Sequence, residues 1–191
     1  MPMSDKVRES ATAGAALVII DMQEVFRRPD SRWFTPRYDQ AAAAIRELVP
    51  LFGDRVVLTR FFAPDTPAGA WADYYRRFPF ALVPEDHHLY ELTDGFADLP
   101  YAVVSKSTFG KWGIDLADAI GDSRNIVLTG VATDCCVLAT ALAAADAGMH
   151  VTVVADACAG ASDVDHQRAL DVMNLLTPLV NVTSVADFVS V

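Results

Sequence analysis

Short unbroken apolar runs alternate along this chain with stretches whose apolar positions recur every three or four residues. Ala15–Ile20 is continuous and strand-sized, Tyr38–Phe52 puts Ile45, Leu48, Val49 and Phe52 on one helical face, and Arg55–Thr59 is again strand-like, with Gly53-Asp54 as the break before it. The same rhythm returns further on. Strands are predicted at Ala102–Ser105, Ile126–Thr129, His150–Val154 and Val180–Thr183, and helices at Asp115–Ile120, at Asp134–Ala147 closed by Gly148, and at Asp163–Leu176. Residues 61–98 interrupt it: they are aromatic and proline-rich, offer only a short helix at Ala70–Arg77, and suit a lid or pocket wall. Continuous Val/Ile/Leu strands, each followed by a helix, belong to a parallel sheet covered on both faces. The expected fold is α/β, a three-layer α/β/α sandwich around a six-stranded parallel sheet.

Composition narrows the class without changing it. A length of 191 residues suits one domain over 1–191, with residues 1–13, small and polar, as a flexible leader. No apolar run approaches the roughly 18 to 20 residues of a membrane span. A net charge of −10 and a pI near 4.6 disfavour nucleic acid and anionic membrane as partners, which leaves a small-molecule substrate. Three cysteines, two of them adjacent, point to reduced thiols and a cytoplasmic location.

Polar residues at the ends of apolar runs carry the candidate chemistry. Asp21 follows the first strand, Lys106 follows Tyr101-Ala102-Val103-Val104, and Cys136 lies just past Asn125–Thr129. If those strands are neighbours, an acid, an amine and a thiol meet at one sheet edge, where open α/β sheets hold their ligands. Cys136 in the first turn of a helix, near a lysine, would be favoured as thiolate, and Asp21 could take its proton. Gly130-Val131-Ala132 reads as a tight turn of small residues that lets the backbone N–H groups of Ala132 and Cys136 converge on an oxyanion. Each residue also has a plainer reading: Cys136 as core, Asp21 as a cap, Lys106 as a solvated lysine.

The remaining candidates are walls and packing. Gln23, Phe61, Trp71, Tyr74, Trp112 and Cys135 are expected around the substrate, with Tyr75 and Phe78 beside them, although aromatic residues would equally suit a subunit interface. Cys158 and Asp156 read as structural. Arg60, Arg76 and Arg77 suit surface solvation, with a substrate carboxylate as the other use. None of the four histidines sits at a matching strand end, and neither a C-x-x-C pattern nor an Asp-x-His after a strand offers a metal site, so neither metal nor cofactor is expected.

The motifs Leu17-Val18-Ile19-Ile20-Asp21-Met22-Gln23, Lys106-Ser107-Thr108-Phe109-Gly110-Lys111-Trp112, Gly130-Val131-Ala132-Thr133-Asp134-Cys135-Cys136-Val137 and Asp156-Ala157-Cys158-Ala159 together resemble the isochorismatase-like cysteine hydrolases. The resemblance implies strand order 3-2-1-4-5-6, a catalytic set of Asp21, Lys106 and Cys136, a cis peptide at Val131–Ala132, and a homodimer or homotetramer. Phe61 and Ala63 stand where metal-dependent nicotinamidases carry Asp-x-His, and the cysteine missing from vinyl-ether hydrolases is kept. The expected activity is therefore cysteine-dependent hydrolysis of a small C–N bond in a carboxamide, carbamoyl or ureido group through a thioester. An isochorismatase-type vinyl-ether hydrolase and a non-catalytic small-molecule-binding protein are the alternatives.

Overall fold

The computed structural model describes Thr12 and residues 14–190, with only the backbone of 189 and 190, so the expected leader lies almost wholly outside the described residues. Six strands form one sheet: β1 (Ala15–Ile20), β2 (Val56–Phe61), β3 (Ala102–Lys106), β4 (Asn125–Val131), β5 (His150–Ala159) and β6 (Val180–Thr183). Every neighbouring pair is parallel, and the order is β3-β2-β1-β4-β5-β6. All six residues of β1 are buried, as a central strand with both faces covered requires.

Side-chain alternation along β1 divides the core in two. Ala15, Leu17 and Ile19 join one cluster with Ala41, Ala42, Ile45, Leu48 and Phe52 of α2 (Tyr38–Phe52). Ala16, Val18 and Ile20 join the other, with Leu116 and Ile120 of α4 (Ile114–Ile120), Ala141 and Ala144 of α5 (Leu138–Asp146), and Ala169, Leu170 and Met173 of α6 (Asp163–Asn174). The sheet lies between these two layers. Two short helices, α1 (Glu24–Arg27) and α3 (Ala70–Arg77), stand over the carboxyl ends of the strands, and α7 (Val185–Ser190) places Phe188 against Phe52. No described helix is long and apolar enough to cross a membrane.

Two departures from the sequence reading bear on the site. Gly130 does not open a turn: β4 continues through it to Val131, and β5 runs on to Ala159, with a register shift between Leu128 and Gly130. Glycine is needed because the backbone there, at φ +105°, lies against Ile20, whose carbonyl oxygen would be 2.1 Å from any added Cβ. Gly130→Ala is accordingly expected to destabilise the fold by about 3 kcal/mol or more, measurable as a lowered urea midpoint. The expected helix at Asp134–Ala147 is also two elements, a π-turn at Thr133–Val137 followed by α5. In the π-turn the Ala132 carbonyl accepts from the amides of both Cys135 and Val137. The Cys136 carbonyl accepts from Thr140 Oγ1 at 2.6 Å.

Candidate active site

Asp21 follows directly on β1, at the centre of the sheet, and is the one described non-glycine residue with positive φ, at +50°. A left-handed conformation at a non-glycine residue is sparsely populated and costs on the order of 1 kcal/mol or more, and it aims the side chain away from the strand's own alternation. Thr59 of β2 fixes the carboxylate: its hydroxyl donates to Asp21 Oδ1 at 2.6 Å and accepts from the Asp21 amide at 3.2 Å. Asp21 and Lys111 are the two charged residues among the described ones that are fully buried, and they face each other, with Nζ 3.0 Å from Oδ2. That approach lies off the axis of a hydrogen bond, so Oδ2 has no hydrogen-bond donor among the described residues.

The lysine in the site is thus Lys111 and not Lys106. Lys106 ends β3, the edge strand, where it pairs with Phe61 of β2; one whole strand separates it from β1. Two strand spacings are about 9 to 10 Å, and Lys106 has no carboxylate within ion-pair distance among the described residues. Its ammonium donates instead to the Trp112 carbonyl at 3.0 Å. Five residues later the chain has crossed back over the sheet, and Gly110 packs against the backbone of Ala139 in α5. The Lys111 amide donates to Thr140 Oγ1 (2.9 Å), its ammonium donates to the Thr108 carbonyl (2.9 Å), and Nζ lies 4.9 Å from the centre of the Phe61 ring. One carboxylate, a carbonyl and a ring face satisfy the ammonium out of water. In the sequence, Phe109-Gly110-Lys111-Trp112 is the available signal: a lysine set among aromatic and small residues has little else to solvate it.

Cys136 sits in the π-turn, 2% exposed, facing the same carboxylate. The sequence suggests a thiolate favoured by a helix end and a cation, but the folded environment does the opposite. Burial pushes the Cys136 thiol well up, the Asp21 charge and a hydrogen bond to Asp21 push it further, and Lys111 only partly opposes them. These effects favour the protonated thiol.

Cys135 is pushed up to about 12, first by burial and then by Asp134, and buried Cys158 is pushed up too. The consequence for stability has a definite sign. Below the ordinary thiol range both folded and unfolded chains keep these protons; above about pH 9 the unfolded chain releases protons that the folded chain retains, so stability falls as pH rises. Urea melts at pH 8, 9 and 10 are expected to show a declining midpoint, with the decline shallower in Cys158→Ala.

A cavity of about 390 Å³ opens above Cys136, and Ala132, Cys135, Asp134 and Phe61 line it there. The Val131–Ala132 peptide bond at its floor is cis. Of the pocket residues expected from the sequence, Phe61, Tyr74 and Cys135 line the cavity, and so do Phe78 and Arg77. Gln23 does not: fully buried, it accepts from the Phe61 amide (2.8 Å) and donates to the carbonyls of Phe61 (2.8 Å) and Tyr90 (2.7 Å), so it holds a wall residue in place from behind. Trp71 backs the wall by packing edge-on against Phe109 and Tyr74. Trp112 is absorbed into the packing beside α4 and α5. Arg60 and Arg76 pair with Glu85 and Asp73.

One wall comes from a segment whose pocket role the sequence reading misses. Phe26, Arg32, Trp33, Phe34 and Thr35, from the chain after β1, line the cavity opposite the sheet. Two adjacent aromatics in an otherwise charged and proline-containing loop, Arg32-Trp33-Phe34-Thr35-Pro36, are the signal that could have found it. Farther from the cavity, Asp156 caps α7 by accepting from the Val185 amide at 2.7 Å. His166 Nδ1 shares a 2.8 Å hydrogen bond with Thr133 Oγ1, which ties α6 to the π-turn.

Comparison with known proteins agrees with this geometry. The isochorismatase domain model matches residues 15–187. Isochorismatase domain-containing protein 2 of Xenopus laevis is 32% identical over 160 residues, 83% of this chain and 67% of that protein. The fold is shared with a cysteine hydrolase from Pseudomonas syringae pv. phaseolicola 1448A (TM-score 0.79, 20% identity, 99% of this chain and 93% of that one). It is shared too with the pyrazinamidase of Pyrococcus horikoshii in complex with zinc (TM-score 0.70, 25% identity, 90% and 99%). The residues present here do not suit a zinc ion: Phe61 and Ala63 at the end of β2 are buried carbon, and no three His, Cys, Asp or Glu side chains among the described residues gather closely enough to hold one. A central acid, a buried lysine and a cysteine on the turn after β4, set in a sheet of order 3-2-1-4-5-6 and matched by the family's domain over 15–187, place this chain in the isochorismatase family.

Proposed function

We propose that the protein hydrolyses the C–N bond of a small carboxamide, carbamoyl or ureido compound through a thioester on Cys136. The observation that carries this reading is the packing of one carboxylate and one ammonium, both fully buried, beneath a thiol that lines the cavity. A thiol whose proton is held by burial needs a base at hand, and Asp21 is that base. As sulfur attacks the carbonyl carbon, its proton passes to the Asp21 carboxylate, and Lys111 stays as the fixed charge that keeps the pair in balance. The main-chain N–H groups of Ala132 and Cys136 are the donors for the oxyanion. Collapse of the tetrahedral adduct breaks the C–N bond while the Asp21 proton moves to the leaving nitrogen, so ammonia or an amine departs neutral. Water then adds to the thioester, gives a proton to Asp21, and displaces the sulfur, which recovers that proton as the acid is released.

The cavity supports a compact substrate with a planar or apolar body, since seven of its fifteen lining residues are aromatic. A panel of small primary amides and ureides assayed for released ammonia tests the reading. A covalent acyl adduct on Cys136, trapped by rapid quench and located by mass spectrometry, is the expected result. Release of ammonia with no adduct, or an activity confined to vinyl ethers, would overturn it.

A further inference from the structure

The cavity has charge of opposite sign at its two ends. Asp134 lines the cavity beside the thiols, its carboxylate accepting from the Ala161 amide at 2.9 Å and from the Cys135 thiol, while the Asp21 charge beneath is matched by Lys111. At the other end are Arg32 and Arg77. The Arg32 guanidinium donates to the Arg77 carbonyl at 2.9 Å, and the two guanidinium carbons stand 5.1 and 5.5 Å from the centre of the Phe78 ring. Tyr74 also lines the cavity, its ring 4.8 Å from that of Phe78 and 5.7 Å from that of Phe109.

Arg27, Arg28, Arg37, Arg60, Arg76 and Arg168 each pair with a carboxylate. Arg32 and Arg77 share with Arg46, Arg55 and Arg124 the lack of a carboxylate partner among the described residues, although the chain carries ten more acids than bases, and they are the two of those five that line the cavity. Beside them, Trp33 Nε1 and Thr35 Oγ1 are buried without any hydrogen-bond partner among the described residues, on two further residues that line the cavity. Unpaired guanidinium groups stacked on an aromatic ring at the mouth of an apolar cavity are the usual means of holding a carboxylate.

We infer that Arg32 and Arg77 form a specificity subsite for a carboxylate on the substrate, at the end of the molecule away from the bond that is cut. The substrate class is then an acid amide: a small planar or apolar body with an amide at one end and a carboxylate at the other. The charge gradient orients it. The carboxylate is repelled from Asp134 and held by the arginines, which leaves the amide carbonyl toward Cys136. The subsite rests on the hydrolase reading only for which end of the ligand is cut, and the two are tested separately below.

The probes are 4-carbamoylbenzoate and its neutral counterpart terephthalamide, the same ring and amide with and without the distal carboxylate. Calorimetric binding to Cys136→Ala and steady-state turnover by the parent are each measured in the arginine background and in Arg32→Gln/Arg77→Gln; both arginines are exposed, so the double variant is expected to fold. The expected result is preference for the anion, with its KM and Kd raised about tenfold by the double variant at nearly constant kcat, the neutral diamide changing by less than about twofold. Equal affinity for the two probes, absence of binding by both, or a preference that survives loss of both arginines would overturn the subsite. Arginine-dependent binding of the anion without cleavage would uphold the subsite and sink the amide-hydrolase reading instead.

Discussion

Cys136→Ala is expected to lower amide turnover by about 10⁴-fold or more, to the assay background, while the protein stays folded. The reason is that Asp21 and Lys111 by themselves have no nucleophile to direct: the carboxylate is closed in by Thr59 on one oxygen and by the ammonium near the other. Removing the sulfur deletes one buried atom from a packed turn and leaves the ion pair intact, so the thermal midpoint should move by only a few degrees. Far-UV circular dichroism together with the ammonia assay reads both halves of this expectation. Substantial residual turnover in the folded variant would mean that water, and not sulfur, attacks the substrate.

Replacing Lys111 with methionine is expected to cost about 3 to 5 kcal/mol of stability and to abolish activity, because it leaves the Asp21 carboxylate fully buried with no counter-charge. The companion variant Lys106→Met loses one hydrogen bond to the Trp112 carbonyl and should cost only about 1 kcal/mol, with turnover largely retained. Asp21→Asn in the Lys111→Met background removes the stranded charge, so the double variant should be more stable than Lys111→Met alone, though still inactive. Urea melts and ammonia release for these variants separate the two lysines. A dead Lys106→Met with an active Lys111→Met would reverse the assignment.

The confusion between the two lysines has a physical origin. Hydrophobic runs report which residues are in strands, and both Lys106 and Asp21 do lie at strand ends. They do not report which strands are neighbours, and in this sheet order β3 lies at the edge with β2 between it and β1. A lysine five residues beyond the strand end returns to the centre because the loop carries Gly110 against Ala139 of α5 and the Lys111 amide onto Thr140. The thiol's environment has a related origin: a helix start predicts a field that favours thiolate, whereas burial and a carboxylate at close range push the thiol up. The same limit hid Arg32, Trp33 and Thr35, which reach the cavity by a loop path that no periodicity encodes.

What the sequence determined by itself was the set of elements and the chemistry available to them. Strand and helix periodicities, the acid after β1 and the cysteine after β4 are local properties, written in consecutive residues, and the described structure keeps them. Tertiary structure decided which lysine meets the acid, how far β4 and β5 extend, which way burial and charge push the thiol, and which arginines face the cavity. Those outcomes depend on distances between segments far apart in the chain and on how much water each charge retains, and both are set only when the layers close on the sheet.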